Sequence, residues 1–353
     1  MTEVFQGEEW QLIHRFCTGL GFGGVVTVRS TYVVELSDVE LRGKLNATAM
    51  IFLSLGMLLS HIFRAYVPLK LFNTLAIIIA VSIAGLFYFV VETPFYLIEK
   101  NREEDAKHVL THLYGIDDAQ NKLIEIKLIV NEYVAKGRTF CDIFKSRKAM
   151  KAFNISLILI LPAQLCGLDL LLSKSQTIFE SSGVFLDHRI APLIVCSTQL
   201  LACFIPLAII ERIGRKMSYL ISAMGVITAE LFLGLYYSLQ EIGHDVGRIY
   251  WVPITALLVF VISYSIGFAP VPWMVMAEIL PGNIKPIASS IIASIVHLVL
   301  FVIVFTHNEL RDSIGDGKWF WIYGGITSLV AMFMTYIVPE TKGKNLQEIQ
   351  AVL

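Results

Sequence analysis

Long apolar runs alternate along this chain with short charged connections, and the run lengths are the first thing to explain. Nine of them extend over roughly 18 residues or more, enough for a helix rising about 1.5 Å per residue to cross about 30 Å of hydrocarbon. They are Phe16 to Val34, Leu45 to Phe63, Leu71 to Val91, Ala152 to Leu172, Ile190 to Ile210, Ser218 to Leu239, Tyr250 to Val275, Ile287 to Phe305 and Trp319 to Val338. Six of them, the third and fifth included, contain no Asp, Glu, Lys or Arg. Lipid gives an exposed backbone N–H or C=O no partner, so each run predicts a helix and the fold class is an all-α membrane protein with nine transmembrane helices.

Positive charge sets the orientation, because cytoplasmic connections retain Lys and Arg. The interval from Lys100 to Lys151 collects Lys100, Arg102, Lys107, Lys122, Lys127, Lys136, Arg138, Lys145, Arg147, Lys148 and Lys151. By helix parity Arg42 with Lys44, Arg212 with Arg215 and Lys216, Lys285, and Lys342 with Lys344 fall on the same side, which places the amino terminus outside and the carboxyl terminus in the cytoplasm. The charged interval is itself patterned. Ala106, Val109, Leu110 and Leu113 recur at i, i+3, i+4 and i+7 before Gly115, and Leu123, Ile126, Val130 and Tyr133 form a second stripe, so the interval predicts a cytoplasmic helical insert. The expected organisation is a partial three-span bundle over 1–99, an amphipathic linker over 100–151, a six-span bundle over 152–338 and a tail over 339–353.

Composition agrees and removes alternatives. Hydrophobic residues make up 56% of the 353 positions and charged residues 16%, against about 25% charged in a soluble domain. A net charge of -1 gives no electrostatic case for a nucleic-acid partner. The five cysteines, Cys17, Cys141, Cys166, Cys196 and Cys203, match neither a disulfide framework nor metal-ligand spacing and read as packing residues. The first 15 residues are too acidic and too poor in apolar positions for a cleavable signal peptide. No nucleophile and base, metal cluster or phosphate loop is evident, and the "GLGFGG" segment lies in an apolar run with no preceding strand, so the chain does not read as an enzyme and implies no cofactor.

Short motifs at the ends of the runs resemble those of the sugar porter family of the major facilitator superfamily. "RFCTGLGFGG" (Arg15 to Gly24) is similar to the opening of that family's fourth span, and "YVVELSDVELRG" (Tyr32 to Gly43) to its close. "VETPFYLIEKNREEDA" resembles the segment leaving the sixth span, with Val91 and Phe95 replacing the family's Pro and Arg. "ERIGRK" (Glu211 to Lys216), "PVPWMVMAEILP" (Pro270 to Pro281) and "PETKGKNLQEI" (Pro339 to Ile349) resemble the loop, tenth-span and carboxy-terminal signatures, in family order. The resemblance implies a major facilitator-type bundle that starts at the fourth span. It also implies a substrate site between two halves near the bilayer midplane.

A sugar site needs groups that donate and accept hydrogen bonds, and an aromatic plane. By resemblance to the seventh and tenth spans, Gln164, Gly167, Asp169 and Trp273 are the substrate candidates. Gln164 and Asp169 are about 140° apart on a regular helix, so both face one cavity only if Pro162 and Gly167 distort it. Several family groups are replaced: Ala163 and Asp169 in the seventh-span motif, Met50 for a Gln, Val296 for an Asn, and Ser173 with Lys174 for aromatics. Glu35, Arg42, Arg212, Arg215 and Glu278 resemble the charges that clamp the inner ends of the spans. Lys285-Pro286 replaces an Arg-Gly there. Arg29, Glu230 and His297 are intramembrane polar residues, functional by default because burial in lipid is costly. His297 reads more readily as a hydrogen-bonded packing residue, and Arg29 either faces the space of the spans missing from the family pattern, lines the cavity, snorkels or pairs with another helix.

Two functions follow from these residues. The leading one is a transporter of a sugar or polyol, with the lipid bilayer as its surroundings, the plasma membrane as the expected site and proton coupling left open. The other is a non-transporting sugar sensor or partner of an intact transporter.

Overall fold

The computed structural model describes residues 8–38, 41–136, 140–183, 187, 189–337, 340–343 and 348, and these form helices and connections with no strand among them. Three long helices come first: α1 (Glu8–Leu36), α2 (Arg42–Tyr66) and α3 (Leu69–Leu86). Four helices leading into and through the charged interval follow, α4 (Pro94–Glu99), α5 (Glu103–Tyr114), α6 (Ile116–Lys136) and α7 (Phe140–Lys145). The rest of the chain supplies α8 (Arg147–Leu165), α9 (Leu168–Ser173), α10 (Ser175–Ser181), α11 (Ile190–Ala202), α12 (Phe204–Ile213), α13 (Arg215–Glu241), α14 (Val252–Ile266), α15 (Val271–Ile279), α16 (Lys285–Ile314) and α17 (Asp316–Ile337).

Seven segments of the described residues are long and apolar enough to cross a membrane: Arg42–Tyr66, Lys70–Phe89, Arg147–Leu165, Ile190–Ile213, Arg215–Glu241, Gly247–Ile279 and Lys285–His307. The first and last of the nine expected spans are also helices, of 29 and 22 residues, but fall short of that measure. Charge and glycine explain α1, which carries Arg15, Arg29, Glu35 and four glycines. In α17, Trp319, Trp321, Tyr323, Gly324 and Gly325 lower the mean hydropathy without shortening the helix.

Three of the spans are bent or broken rather than continuous. α8 stops at Leu165 and the chain passes through Gly167, at φ 78°, before α9. The fifth predicted run divides at Cys203 into α11 and α12, and the seventh divides between Ile266 and Val271 into α14 and α15. The last break exposes backbone groups, and a side chain from the neighbouring helix satisfies them. The Ser222 hydroxyl donates to the Ser263 carbonyl at 2.6 Å and accepts from the Phe268 N–H at 3.0 Å. Both bonds are buried, where an unpaired backbone group would otherwise carry a full desolvation cost.

Packing joins the first helices to the last. α2 lies against α11 and α12, where Ser54 Oγ and Cys203 Sγ are 3.2 Å apart, and α1 lies against α15 and α16. α13 is sandwiched between α14 and α17, and α8 packs on α15, α16 and α17. One buried apolar cluster runs through this set, from Met50 through Leu159, Tyr219, Phe260 and Trp273 to Val296. α3 differs: none of its apolar window is buried, so its side chains face outward along the whole span.

The charged insert folds on its own small core of Leu97, Ile98, Ala106, Leu110, Ala119, Leu123, Ile126 and Val130. Thr93 caps α4, accepting from the Tyr96 N–H, and Pro94 occupies its first turn. The first stripe is narrower than its spacing predicts. Ala106 and Leu110 are buried, Val109 is half-buried and Leu113 is 45% exposed, because Tyr114 takes the next core-facing place. In the second stripe Leu123, Ile126 and Val130 are buried, while the Tyr133 side chain lies outside the described residues. Lys122 with Asp38 at 3.9 Å, and the Tyr114 hydroxyl donating to the Leu36 carbonyl at 3.4 Å, tie the insert to the end of α1.

Replacing Ser222 by Ala is expected to destabilise the protein by about 1–3 kcal/mol, since it orphans a buried carbonyl and a buried N–H together. Thermal unfolding of the detergent-solubilised protein measures this, and an unchanged midpoint would show that the break does not need its bridge.

Candidate functional site

Six ionisable side chains converge at one end of the bundle, each from the end of a different helix. Glu35, Glu211 and Glu278 lie in the last turns of α1, α12 and α15, while Arg42, Arg215 and Lys285 open α2, α13 and α16. Arg215 stands at the centre and is 1% exposed. Its guanidinium grips Glu211 through Nη1 to Oε2 at 2.7 Å and Nη2 to Oε1 at 3.2 Å, and Nη2 also reaches Glu278 Oε1 at 3.4 Å. Glu278 is 2% exposed and Lys285 4%.

The early helices join this network directly. The Gly43 N–H donates to Glu211 Oε1 at 2.9 Å. A Cβ at Gly43 would overlap the Glu211 carboxylate and force it to shift from this position. Arg42, 9% exposed, lies within electrostatic reach of Glu278, and Glu35 within reach of Lys285. Sequence resemblance groups Glu35 and Arg42 together. In the structure each instead faces a charge from the later helices, so the attraction crosses between the two ends of the chain. Lys285, which reads in sequence as a weakening departure, supplies the cation opposite Glu35.

Arg212 does not join the cluster: its side chain is exposed, and only its carbonyl takes part, accepting from Lys342 Nζ at 2.6 Å. The neighbouring Glu340 carboxylate accepts from the Arg215 and Lys216 N–H groups, both at 3.1 Å, at the start of α13. Glu211, Glu340 and Lys342 are functional candidates that motif reading passed over. The signal for Glu211 was its i, i+4 spacing to Arg215, and for the tail it was an acid and a base two residues apart in "PETKG". Lys344 and the rest of that motif beyond Gly343, except Glu348, lie outside the described residues.

The second locus lies within the membrane-spanning part. Gln164 is half-buried in the last turn of α8, after Pro162. Trp273, 7% exposed, lies in α15 just past the break in its span. α8 and α15 pack on each other, which puts these two candidates on neighbouring elements. The distortion needed to turn Gln164 and Asp169 toward one side is present at Gly167, but the Asp169 side chain lies outside the described residues. Met50 and Val296 are buried apolar members of the central cluster.

The other polar candidates are dispersed. Arg29 is half-buried, with Nη1 3.9 Å from Met50 Sδ, a weak acceptor, and its Nε buried without a partner. Glu230 is fully buried where α13 meets Thr327 and Gly324 of α17, and among the described residues no cation lies within ion-pair distance of it. His297 Nδ1 donates to the Ala293 carbonyl at 2.7 Å and its ring meets Phe22 edge-on, the arrangement of a packing residue.

A family model described as "Sugar (and other) transporter" matches residues 6–353. The chain belongs to the sugar transporter family. It is 31% identical over 342 residues to the facilitated trehalose transporter Tret1 of Anopheles gambiae, covering 96% of this chain and 43% of that protein. It is 29% identical to Tret1 of Culex quinquefasciatus, covering 66% of that protein. The chain thus spans less than two thirds of the length of most of these curated relatives. Among solved structures, the proton:xylose symporter XylE bound to 6-bromo-6-deoxy-D-glucose superposes with a TM-score of 0.82 at 25% identity, over 96% of this chain and 73% of that one. The sugar transporter family is one of membrane permeases rather than enzymes, and the structure has the all-helical major facilitator fold.

Removing Arg215 leaves Glu278 buried beside no fork of donors, a loss of about 3–5 kcal/mol for a broken buried pair. Arg215→Ala should therefore lower the thermal unfolding midpoint strongly and Arg215→Lys by less, since an ammonium keeps the charge but not the bidentate grip. Equal midpoints for Arg215→Lys and the parent would refute the importance of the fork.

Proposed function

We propose that the protein carries a sugar or related polyol across a membrane by alternating access, with 1–99 and 152–338 as its two moving parts, 100–151 as the linker and 339–353 as the tail. The observation that carries this reading is the cluster of Glu35, Arg42, Glu211, Arg215, Glu278 and Lys285, four of them buried and two half-buried, in which charges of the early helices face charges of the late ones. Such a cluster closes that end in one state and can part in another, with a bias of a few kcal/mol deciding between them. Arg212 serves it through the backbone. In this reading Gln164, Gly167, Asp169 and Trp273 contact the substrate, and the positive connections, with the closed end, lie in the cytoplasm of a plasma-membrane protein. Relatives described as trehalose transporters and a xylose symporter support a mono- or disaccharide. Whether a proton accompanies it is read by imposing a pH gradient in the same assay.

A second reading, a sugar sensor or partner without transport, is favoured by the loss of hydrogen-bonding groups at Ala163, Met50 and Val296. Binding without counterflow would select it.

Reconstitution of the protein in lipid vesicles with labelled trehalose, glucose and xylitol tests the proposal. Saturable uptake of at least one is expected, with Gln164→Ala and Trp273→Ala each lowering uptake efficiency by about fivefold to tenfold, the effect of losing about 1 kcal/mol of contact. Absence of uptake for all three would overturn transport.

A further inference from the structure

Behind the second locus, and sharing only Gly167 with it, a cavity of about 70 Å³ lies between α9–α10 and the start of α17, at the end of the bundle opposite the charged cluster. Gly167, Lys174, His307, Asp316, Trp319 and Tyr323 line it. Its aromatic wall is ordered by edge contacts: Trp319 meets His307 with centroids 5.2 Å apart and Tyr323 at 4.9 Å. Tyr323 is 5% exposed and its ring covers the open side of Gly167. The Trp319 indole N–H and the Tyr323 hydroxyl are buried and find no hydrogen-bond partner beyond each other among the described residues.

Each feature narrows what this space suits. With the indole N–H turned to the Tyr323 oxygen, the Tyr323 O–H is left as a buried donor without an outside partner, which favours an occupant that brings an acceptor. Aromatic faces suit a ring with apolar C–H surface. An acid, a base and an imidazole on the same wall give both donors and acceptors without a dominant charge, which suits neither an isolated ion nor a hydrocarbon tail. The volume is well below the roughly 300 Å³ of a site that engulfs its ligand, so it accommodates one edge of a ring.

We propose that this cavity is a second binding site for a polyhydroxylated ring, distinct from Gln164 and Trp273, seated behind the kink at Gly167. The choice of a sugar as occupant rests on the transport reading; the site itself does not. Equilibrium dialysis of the full chain in lipid nanodiscs, with labelled glucose and trehalose, tests it. More than one molecule of one sugar per chain is expected. Tyr323→Phe should weaken the second by about tenfold, Trp319→Leu should abolish it, and Gln164→Ala should remove only the other. Tyr323→Phe keeps the ring and so the packing, and its unchanged unfolding midpoint guards against misfolding. A single site that is lost in Gln164→Ala and indifferent to both aromatic changes would overturn the second site while leaving transport intact. Two sites without any uptake would overturn transport alone, and no binding of either sugar would overturn both.

Discussion

A backbone in lipid has no water to complete its hydrogen bonds, and this constraint organises the whole molecule. A helix meets it automatically, so a departure from helix is affordable only where another side chain or a cavity supplies the missing partner. The break between α14 and α15 is bridged by Ser222 from α13. At Gly167 the chain adopts a left-handed conformation that glycine alone takes without strain, and a cavity lies alongside. The candidate substrate residues sit beside these interruptions: Gln164 before one, Trp273 after the other. Irregular backbone and polar chemistry share the same places because the same exclusion from lipid governs both.

The charged cluster obeys a second constraint, and an unusual one. All six ionisable groups stand at the unfavourable ends of their helices, acids at carboxyl termini and bases at amino termini, where the helix dipole opposes them. Local propensity does not hold them there; only mutual attraction does. Separating the early helices from the late ones would return each charge to a poor local setting, so on the proposed reading water must take over as partner when that end opens. Glu340 and Lys342 work in the opposite sense. Glu340 offers its carboxylate to the amino terminus of α13 and Lys342 its ammonium to the carboxyl terminus of α12, both favourable placements. They steady the connection between α12 and α13 while its charges face across the gap.

Much of this was legible beforehand, for identifiable reasons. Run length and the absence of water in lipid specify helices almost without reference to tertiary structure, and the amphipathic stripes of α5 and α6 follow from period alone. What period does not convey is where a stripe is interrupted by a better packing partner, as Tyr114 displaces Leu113. Pairing is harder still. Glu35 and Arg42 are close in sequence and opposite in charge, yet they face Lys285 and Glu278, because helices that arrive from distant parts of the chain decide which ends meet. Arg212 and Arg215 look equivalent in a basic loop, but Arg212 lies in the last turn of α12 with its side chain exposed, whereas Arg215 opens α13 past Gly214 and is buried. Asp169 is named by motif, and its side chain lies outside the described residues.

The same logic bears on selectivity. Met50 and Val296, which stand where the family resemblance implies carboxamides, lie in the apolar core and offer no directed hydrogen bond there. A ring held by fewer directed bonds and more apolar contact discriminates weakly among hydroxyl configurations, because an extra hydroxyl against an apolar wall costs far less than an unmet donor at a polar one. On the proposed transport reading, this arrangement of residues would favour breadth toward related rings over fine distinction between epimers.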